Sequence, residues 1–200
     1  MMNVQLRLFY REFILSFLFV CSCCRSAEIF SGGFEEGSAS PSGGWVYKVS
    51  GTTQAVYIQD GIAGDRVHTG TRALSLVNPE GNVERWYVLN AQSPAITAGQ
   101  TYEFAIWVKT ENMDLAATYI EMDWLDSSDA RISYDTSALV TTAGNWSRLT
   151  FSATAPAGAV KLRPMLMVDG TAGSNAVITF DDYVITQVEP SLKLLVITGN

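Results

Sequence analysis

Apolar and polar residues alternate along most of the chain from residue 28 onward, in short runs that Gly, Asn, Asp or Pro interrupts about every ten to fifteen positions. A period of two sends successive side chains to opposite faces of a strand, and no stretch after residue 28 carries the period of an amphipathic helix. Strands are predicted at Trp45 to Ser50, Gln54 to Gln59, Ala73 to Val77, Val83 to Ala91, Thr101 to Thr110, Ala117 to Leu125, Ala138 to Thr142, Trp146 to Ala153, Val160 to Val168 and Ala176 to Thr186. The pattern predicts an all-β fold, a sandwich of two antiparallel sheets, with no internal repeat and no low-complexity linker.

Phase within the strands sorts the aromatic residues. In TYEFAIWVK, Tyr102, Phe104, Ile106 and Val108 share one face and point to the core, which leaves Trp107 on the outside of its sheet. In TYIEMDWL, Ile120, Met122 and Trp124 form the apolar face and Tyr119, Glu121 and Asp123 the polar one, so Trp124 is a core residue. Gly99 in ITAGQTY, and Pro156 with Gly158 in TAPAGAVKL, supply turn chemistry; both turns predict antiparallel neighbours on either side.

The first residues follow a different pattern. MMNVQLRLFYRE carries Arg7 and Arg11, FILSFLFVCSCC is an apolar run, and RSAE supplies small residues. This is the layout of a secretory signal peptide over residues 1–27, cleaved after Ala27, and it is short for a membrane span. A buried first helix is one alternative. A lipid anchor on Cys23 is another, since Val20-Cys21-Ser22-Cys23 is similar to a bacterial lipobox. All three cysteines lie in this segment, so the mature chain would have no disulfide.

Removing the leader takes away three arginines and one glutamate, leaving ten basic against nineteen acidic residues. Such a surface argues against nucleic acid and anionic lipid as partners. At the other end, Pro190 breaks the pattern and Leu192 to Thr198 is an apolar run, fitting either an extra edge strand or the start of another domain. The main unit therefore spans residues 28–188, and residues 189–200 form a tail of unassigned role.

The motifs GGFEEG followed by GW, then TGTRALSL, ITAGQTYEFAIWVKT, GNWSRLTFSATAPAGA and ITFDDYVIT stand in this order between residues 30 and 187. Together they resemble the carbohydrate-binding modules of families four, nine and twenty-two, within the galactose-binding-domain-like superfamily. The resemblance implies a jelly-roll β-sandwich, secretion, and non-catalytic binding of a polysaccharide or oligosaccharide, often beside a glycoside hydrolase. It also implies a structural calcium ion, and it places Trp45 and Trp146 in the packing of the sandwich.

Carried onto this chain, the resemblance assigns calcium to Glu35 of the FE pair and to Asp181 or Asp182 of FDDY, with backbone carbonyls from Gly70 to Arg72. Alternation lets one of the two aspartates face Glu35; Asp182 is preferred, because the metal-binding aspartate of the resembled modules usually directly precedes the next large apolar residue. Carboxylates and carbonyls are the hard oxygen ligands calcium takes, and one ion would tie together two ends that no disulfide constrains. Two other readings stay open: solvated surface charges, or the acid and base of a glycosidase, whose carboxyls stand about 5–9.5 Å apart. The lone histidine, His68 in GDRVHTGTR, is read as a turn residue, and one histidine with no mature cysteine excludes zinc sites and Cys-His or Ser-His catalysis.

A sugar offers apolar C–H faces and hydroxyls, so its binding surface needs an exposed aromatic ringed by hydrogen-bonding side chains. In VERWYVLNA, Trp86 shares a face with Glu84, Val88 and Asn90, and Tyr87 shares the other with Arg85 and Leu89, so either aromatic can be the inward one. The predicted groove is formed by Trp86, Trp107 and Tyr119, with Asn90, Glu121, Asp123 and Arg163 as hydrogen-bonding partners. The expected function is non-catalytic glycan binding by a secreted monomer. The competing readings are a structural or adhesive surface domain without a sugar groove and, third, a glycoside hydrolase.

Overall fold

The structure, a computed structural model, describes residues 26–37, 40–81 and 84–189. All of the leader except its last two residues, and the tail from Pro190, lie outside the described residues. The strands are β1 (Ala27–Gly32), β2 (Trp45–Lys48), β3 (Gln54–Ile58), β4 (Ala73–Val77), β5 (Glu84–Val88), β6 (Thr101–Glu111), β7 (Ala116–Leu125), β8 (Arg131–Thr136), β9 (Gly144–Thr154), β10 (Lys161–Gly170) and β11 (Val177–Val188). One 3-10 turn, Met113–Leu115, joins β6 to β7.

Two antiparallel sheets form. The six-stranded sheet runs β3-β4-β11-β6-β9, and β1 also pairs with β11; the five-stranded sheet runs β2-β5-β10-β7-β8. Strand β4 pairs with Val177 to Phe180 of β11, and β1 pairs with Tyr183 to Gln187. Because β6 pairs with β11 along almost its whole length, β4 and β1 share the other edge and follow one another along it.

The inner faces meet as the alternation predicts. Tyr102, Phe104, Ile106 and Val108 of β6 and Ile178, Phe180 and Ile185 of β11 pack against Trp86, Ile120, Met122, Trp124, Leu162 and Leu166 of the other sheet, all buried. Each large apolar side chain so buried contributes roughly 1.5–3 kcal/mol. Trp45 is buried as expected, in an aromatic cluster with Phe34 and Tyr183.

Four expectations need correction. Trp86 is core: it is 2% exposed and donates from Nε1 to the Ser75 carbonyl of the opposite sheet at 3.1 Å. Trp146 is half-buried on the outer face of the six-stranded sheet, because β9 pairs with β6 so that Arg148 stands opposite the outward Trp107. Ala138 to Thr142 forms no strand and makes one bridge, Thr118 to Val140; β7's partner is instead β8, whose mostly polar alternation hid it. Gly99 and Gly158 do take positive φ, 80° and 86°, yet their turns join strands of different sheets, β5 to β6 and β9 to β10. Turn chemistry sets a local reversal and leaves the pairing partner to the long-range packing.

Strand β1 was absent from the prediction, since AEIFSG alternates weakly and β11 alone pairs with it. Deleting the Trp86 side chain tests the core assignment. Trp86→Ala should lose about 3–5 kcal/mol in urea unfolding, whereas Tyr87→Ala should lose much less; comparable small losses for both would contradict the inward placement.

Candidate functional site

The outer face of the five-stranded sheet holds a cleft of about 360 Å³ lined by Arg85, Tyr119, Glu121, Asp123, Arg131, Tyr134, Arg163, Met165 and Met167. Register builds it. Met165 stands between Tyr87 of β5 and Glu121 of β7, Met167 between Arg85 and Tyr119, and Arg163 opposite Asp123. Strand β8 then sets Tyr134 opposite Asp123, at the rim. The methionines and both acids are buried in the floor, whereas Tyr134 is 53% exposed.

Charge organises this floor. Asp123 is fully buried, and its Oδ2 accepts from Arg163 Nε at 3.1 Å and from Nη2. Arg163 Nη1 donates to Asn90 Oδ1 at 2.9 Å, which ties the β5 end to the pair. Arg131 reaches Asp123 at 3.3 Å and Glu121 at 3.5 Å, with its guanidinium 4.9 Å above the Tyr134 ring. Burial, reinforced by the Asp123 charge and by a hydrogen bond between the two carboxyls, pushes Glu121 up to about 7. Burial also raises Tyr119, to about 12, so it remains a neutral hydroxyl.

Of the predicted groove, the structure brings together Tyr119, Glu121, Asp123, Arg163 and the adjoining Asn90. Trp86 is in the core, and Trp107 belongs to the other sheet, where the His68 ring stacks on it at 4.0 Å and 14°. Trp146 meets His68 edge-on at 5.6 Å and donates from Nε1 to the Asp65 carbonyl. These two tryptophans therefore anchor the 60–68 loop. Sequence reading missed Arg85, Arg131, Tyr134, Met165 and Met167 as lining residues; Arg85 and Met165 have the right phase, and the alternation of RISYDT could have revealed β8.

The acids of the two ends meet on β11. Between the stretches paired with β4 and β1 the register shifts, and Asp182 takes a positive φ of 46°. Glu35 follows β1 and residues 68–72 precede β4, so both arrive at this gap. Asp181 is buried; its Oδ2 accepts from the amides of His68 (2.9 Å) and Thr69 (3.2 Å), and its Oδ1 from the Asp182 amide. Burial, with the Asp182 charge second, raises Asp181 to about 7. Asp182 lies 2.6 Å from His68 Nδ1 and accepts from Thr69 Oγ1 at 2.8 Å. Glu35 accepts from the amides of Thr71 (3.0 Å) and Arg72 (2.9 Å), while Arg72 Nη1 donates to the carbonyls of Glu35 and Gly37.

Comparison with solved structures places this architecture among known ones. The chain superposes on part of a structure of the CBM22-1 and GH10 modules of a Clostridium thermocellum endo-1,4-β-D-xylanase complexed with xylohexaose, with a TM-score of 0.61 and 19% identity over 86% of this chain and 30% of that one. A CBM22-1 xylan-binding domain from Paenibacillus barcinonensis matches with a TM-score of 0.57 and 16% identity over 84% of this chain and 99% of that one. A xylan-binding domain from carbohydrate-binding module family 22 matches at 0.52 and 16%, over 81% and 96%. The shared fold is a two-sheet β-sandwich. The chain spans under a third of the first of these structures and nearly all of the other two. No family model and no curated protein sequence matches it.

The calcium implied by the resemblance does not fit the junction as arranged. Calcium takes oxygen ligands, and the 68–72 loop turns amide hydrogens toward Glu35 and Asp181. Among the described residues no group of three or more His, Cys, Asp or Glu side chains is placed to hold a metal ion. Glu35 and Asp182 thus join the ends through hydrogen bonds, to residues 71–72 and 68–69 respectively. A chelator should accordingly leave the melting temperature of the wild type unchanged, while Glu35→Ala should lower it by several degrees; a fall on chelation in the wild type, absent in Glu35→Ala, would restore the ion.

Proposed function

We propose that the chain is a non-catalytic carbohydrate-binding module that holds a polysaccharide or oligosaccharide on the outer face of its five-stranded sheet. The observation that carries this reading is the cleft itself: Tyr119 and Tyr134 offer ring surface beside the guanidiniums of Arg131 and Arg163 and the buried carboxyls of Glu121 and Asp123. Pyranose C–H faces pack on such rings, and hydroxyls bridge such charged groups. Side chains fixed on paired strands are held more rigidly than loop residues would be. The fold shared with xylan-binding modules points to a β-1,4-linked xylan backbone as the first ligand to test. Export by residues 1–27 belongs to the same proposal, since such a polymer lies outside the cell.

Catalysis finds no support in the acids. Arg131 holds Glu121 and Asp123 at 3.5 and 3.3 Å, and Asp123 is committed to Arg163 as well, so neither carboxyl stands free as the acid or base that glycoside hydrolysis uses. Glu35, Asp181 and Asp182 are each engaged by loop amides, a hydroxyl or the imidazole.

Affinity electrophoresis in gels containing soluble xylan tests the proposal. Tyr134→Ala should weaken retardation about tenfold, equivalent to roughly 1.4 kcal/mol, with Tyr119→Ala acting in the same direction, and Trp107→Ala should bind as the wild type does. Loss of binding in Trp107→Ala with full binding in Tyr134→Ala would place the site on the wrong sheet, and absence of retardation by any neutral or acidic polysaccharide would remove the function.

A further inference from the structure

A strand at the edge of a sheet presents a row of unpaired amides and carbonyls, and natural proteins guard such edges by keeping them short, charged or bulged. Most edges of this sandwich follow that rule. Strand β2 has four residues and ends on Lys48, β3 has five, and β1 and β8, with six each, carry a charged residue and a register shift. Strand β9 does not. Its sequence, GNWSRLTFSAT, runs for eleven residues with Arg148 as its single charge and no proline. Among the described residues β6 is its one strand partner, so about half of its backbone N–H and C=O groups point away from β6, toward the open edge.

The side chains of β9 suit a second copy of the same strand. On the inner face Leu149 and Phe151 stand opposite Ile106 and Phe104; with Ala153 they pack on the core yet stay partly exposed. On the outer face Arg148, Thr150 and Ser152 stand opposite Trp107, Ala105 and Glu103, and all three are exposed. An antiparallel copy centred on Thr150 matches both faces. It sets Leu149 against Phe151 of the second copy, and Phe151 against its Leu149, which continues the core, and it sets Arg148 against Ser152. The two Arg148 side chains then stand four positions apart, about 13 Å along the strand, farther than the screening length of about 10 Å at 0.1 M salt. Centring on Leu149 would bring them to two positions, about 7 Å, so charge selects the register.

We infer that β9 is a dimerisation edge, at which two copies of this chain join antiparallel about a two-fold axis through Thr150 and merge their six-stranded sheets into one. An edge pairing of this length is small beside a permanent interface, so the dimer is reversible, with a Kd on the order of 10 µM. The axis stands perpendicular to the joined sheet, and the outer faces of the two five-stranded sheets therefore look the same way. Resting on the reading of that face as a glycan site, the dimer turns two clefts toward one polymer and gains avidity on it.

Sedimentation velocity of the full chain across a concentration series tests the dimer. The wild type should pass from monomer to dimer with a Kd on the order of 10 µM. Thr150→Lys and Thr150→Glu each set like charges against one another at the two-fold and should each weaken association about tenfold or more. An equimolar mixture of the two variants should restore it, which a folding defect could not do. A wild type that stays monomeric throughout, or a dimer that both variants leave intact, overturns the edge. On insoluble xylan the wild type should be retained about tenfold more strongly than Thr150→Lys, with equal affinities for xylohexaose. Retention of neither protein removes the glycan reading, while the dimer stands or falls by sedimentation alone.

Discussion

Each sheet of this protein must bury one face against the other, and among the described residues there is no cysteine with which to reinforce the pairing. The period-two alternation is what satisfies that constraint. It gathers Trp86, Trp124, Phe104 and Phe180 into one core and sends Tyr119, Arg131, Tyr134 and Arg163 to the outer face of the five-stranded sheet. The cleft is therefore a by-product of the same rule that builds the core: on β7, each core residue from Ile120 to Trp124 is followed or preceded by a cleft residue. Moving the register by one position would exchange the two sets, which makes the binding face as strongly specified as the interior.

Two consequences of burial shape the outer face. A carboxylate without solvent needs partners, and Asp123 obtains them from Arg163 and Arg131. Those partners come from different strands, β10 and β8, so the ion pairs also tie β7 to the strand on each of its sides. The second consequence is Glu121, whose proton is held by burial and by its acidic neighbour. The cleft thus combines buried ion pairs with a carboxyl that can change its charge near neutral pH.

Legibility from sequence followed the range of the physics. The inward face of β6 and the role of Trp124 rest on local alternation and were readable, as were Tyr119, Glu121, Asp123 and Arg163 as one polar surface. Alternation puts Trp107 on the correct side of its strand but cannot give its sheet, because sheet membership is decided by long-range pairing, Trp107 with Asp181 of β11. In β5 the pattern offered two aromatic faces, Trp86 and Tyr87, and only the fit of the indole beneath Ser75 chose between them. Arg131 and Tyr134 sit on a strand with little apolar content, so hydrophobic periodicity had small purchase there. The acids at the two ends lie at one junction because β1 and β4 share one edge of β11, and there Glu35 and Asp181 accept from the amides of residues 68–72.

The central claim is that the outer face of the five-stranded sheet is where the protein meets its ligand. Titration of the isotope-labelled chain with xylohexaose, followed by amide chemical shifts, tests it most directly. The account predicts that shifts concentrate at Tyr87, Tyr119, Glu121, Arg131 and Tyr134, with Trp107, Trp146 and the 60–68 loop silent. Shifts confined to Trp107, Trp146 and that loop would contradict it.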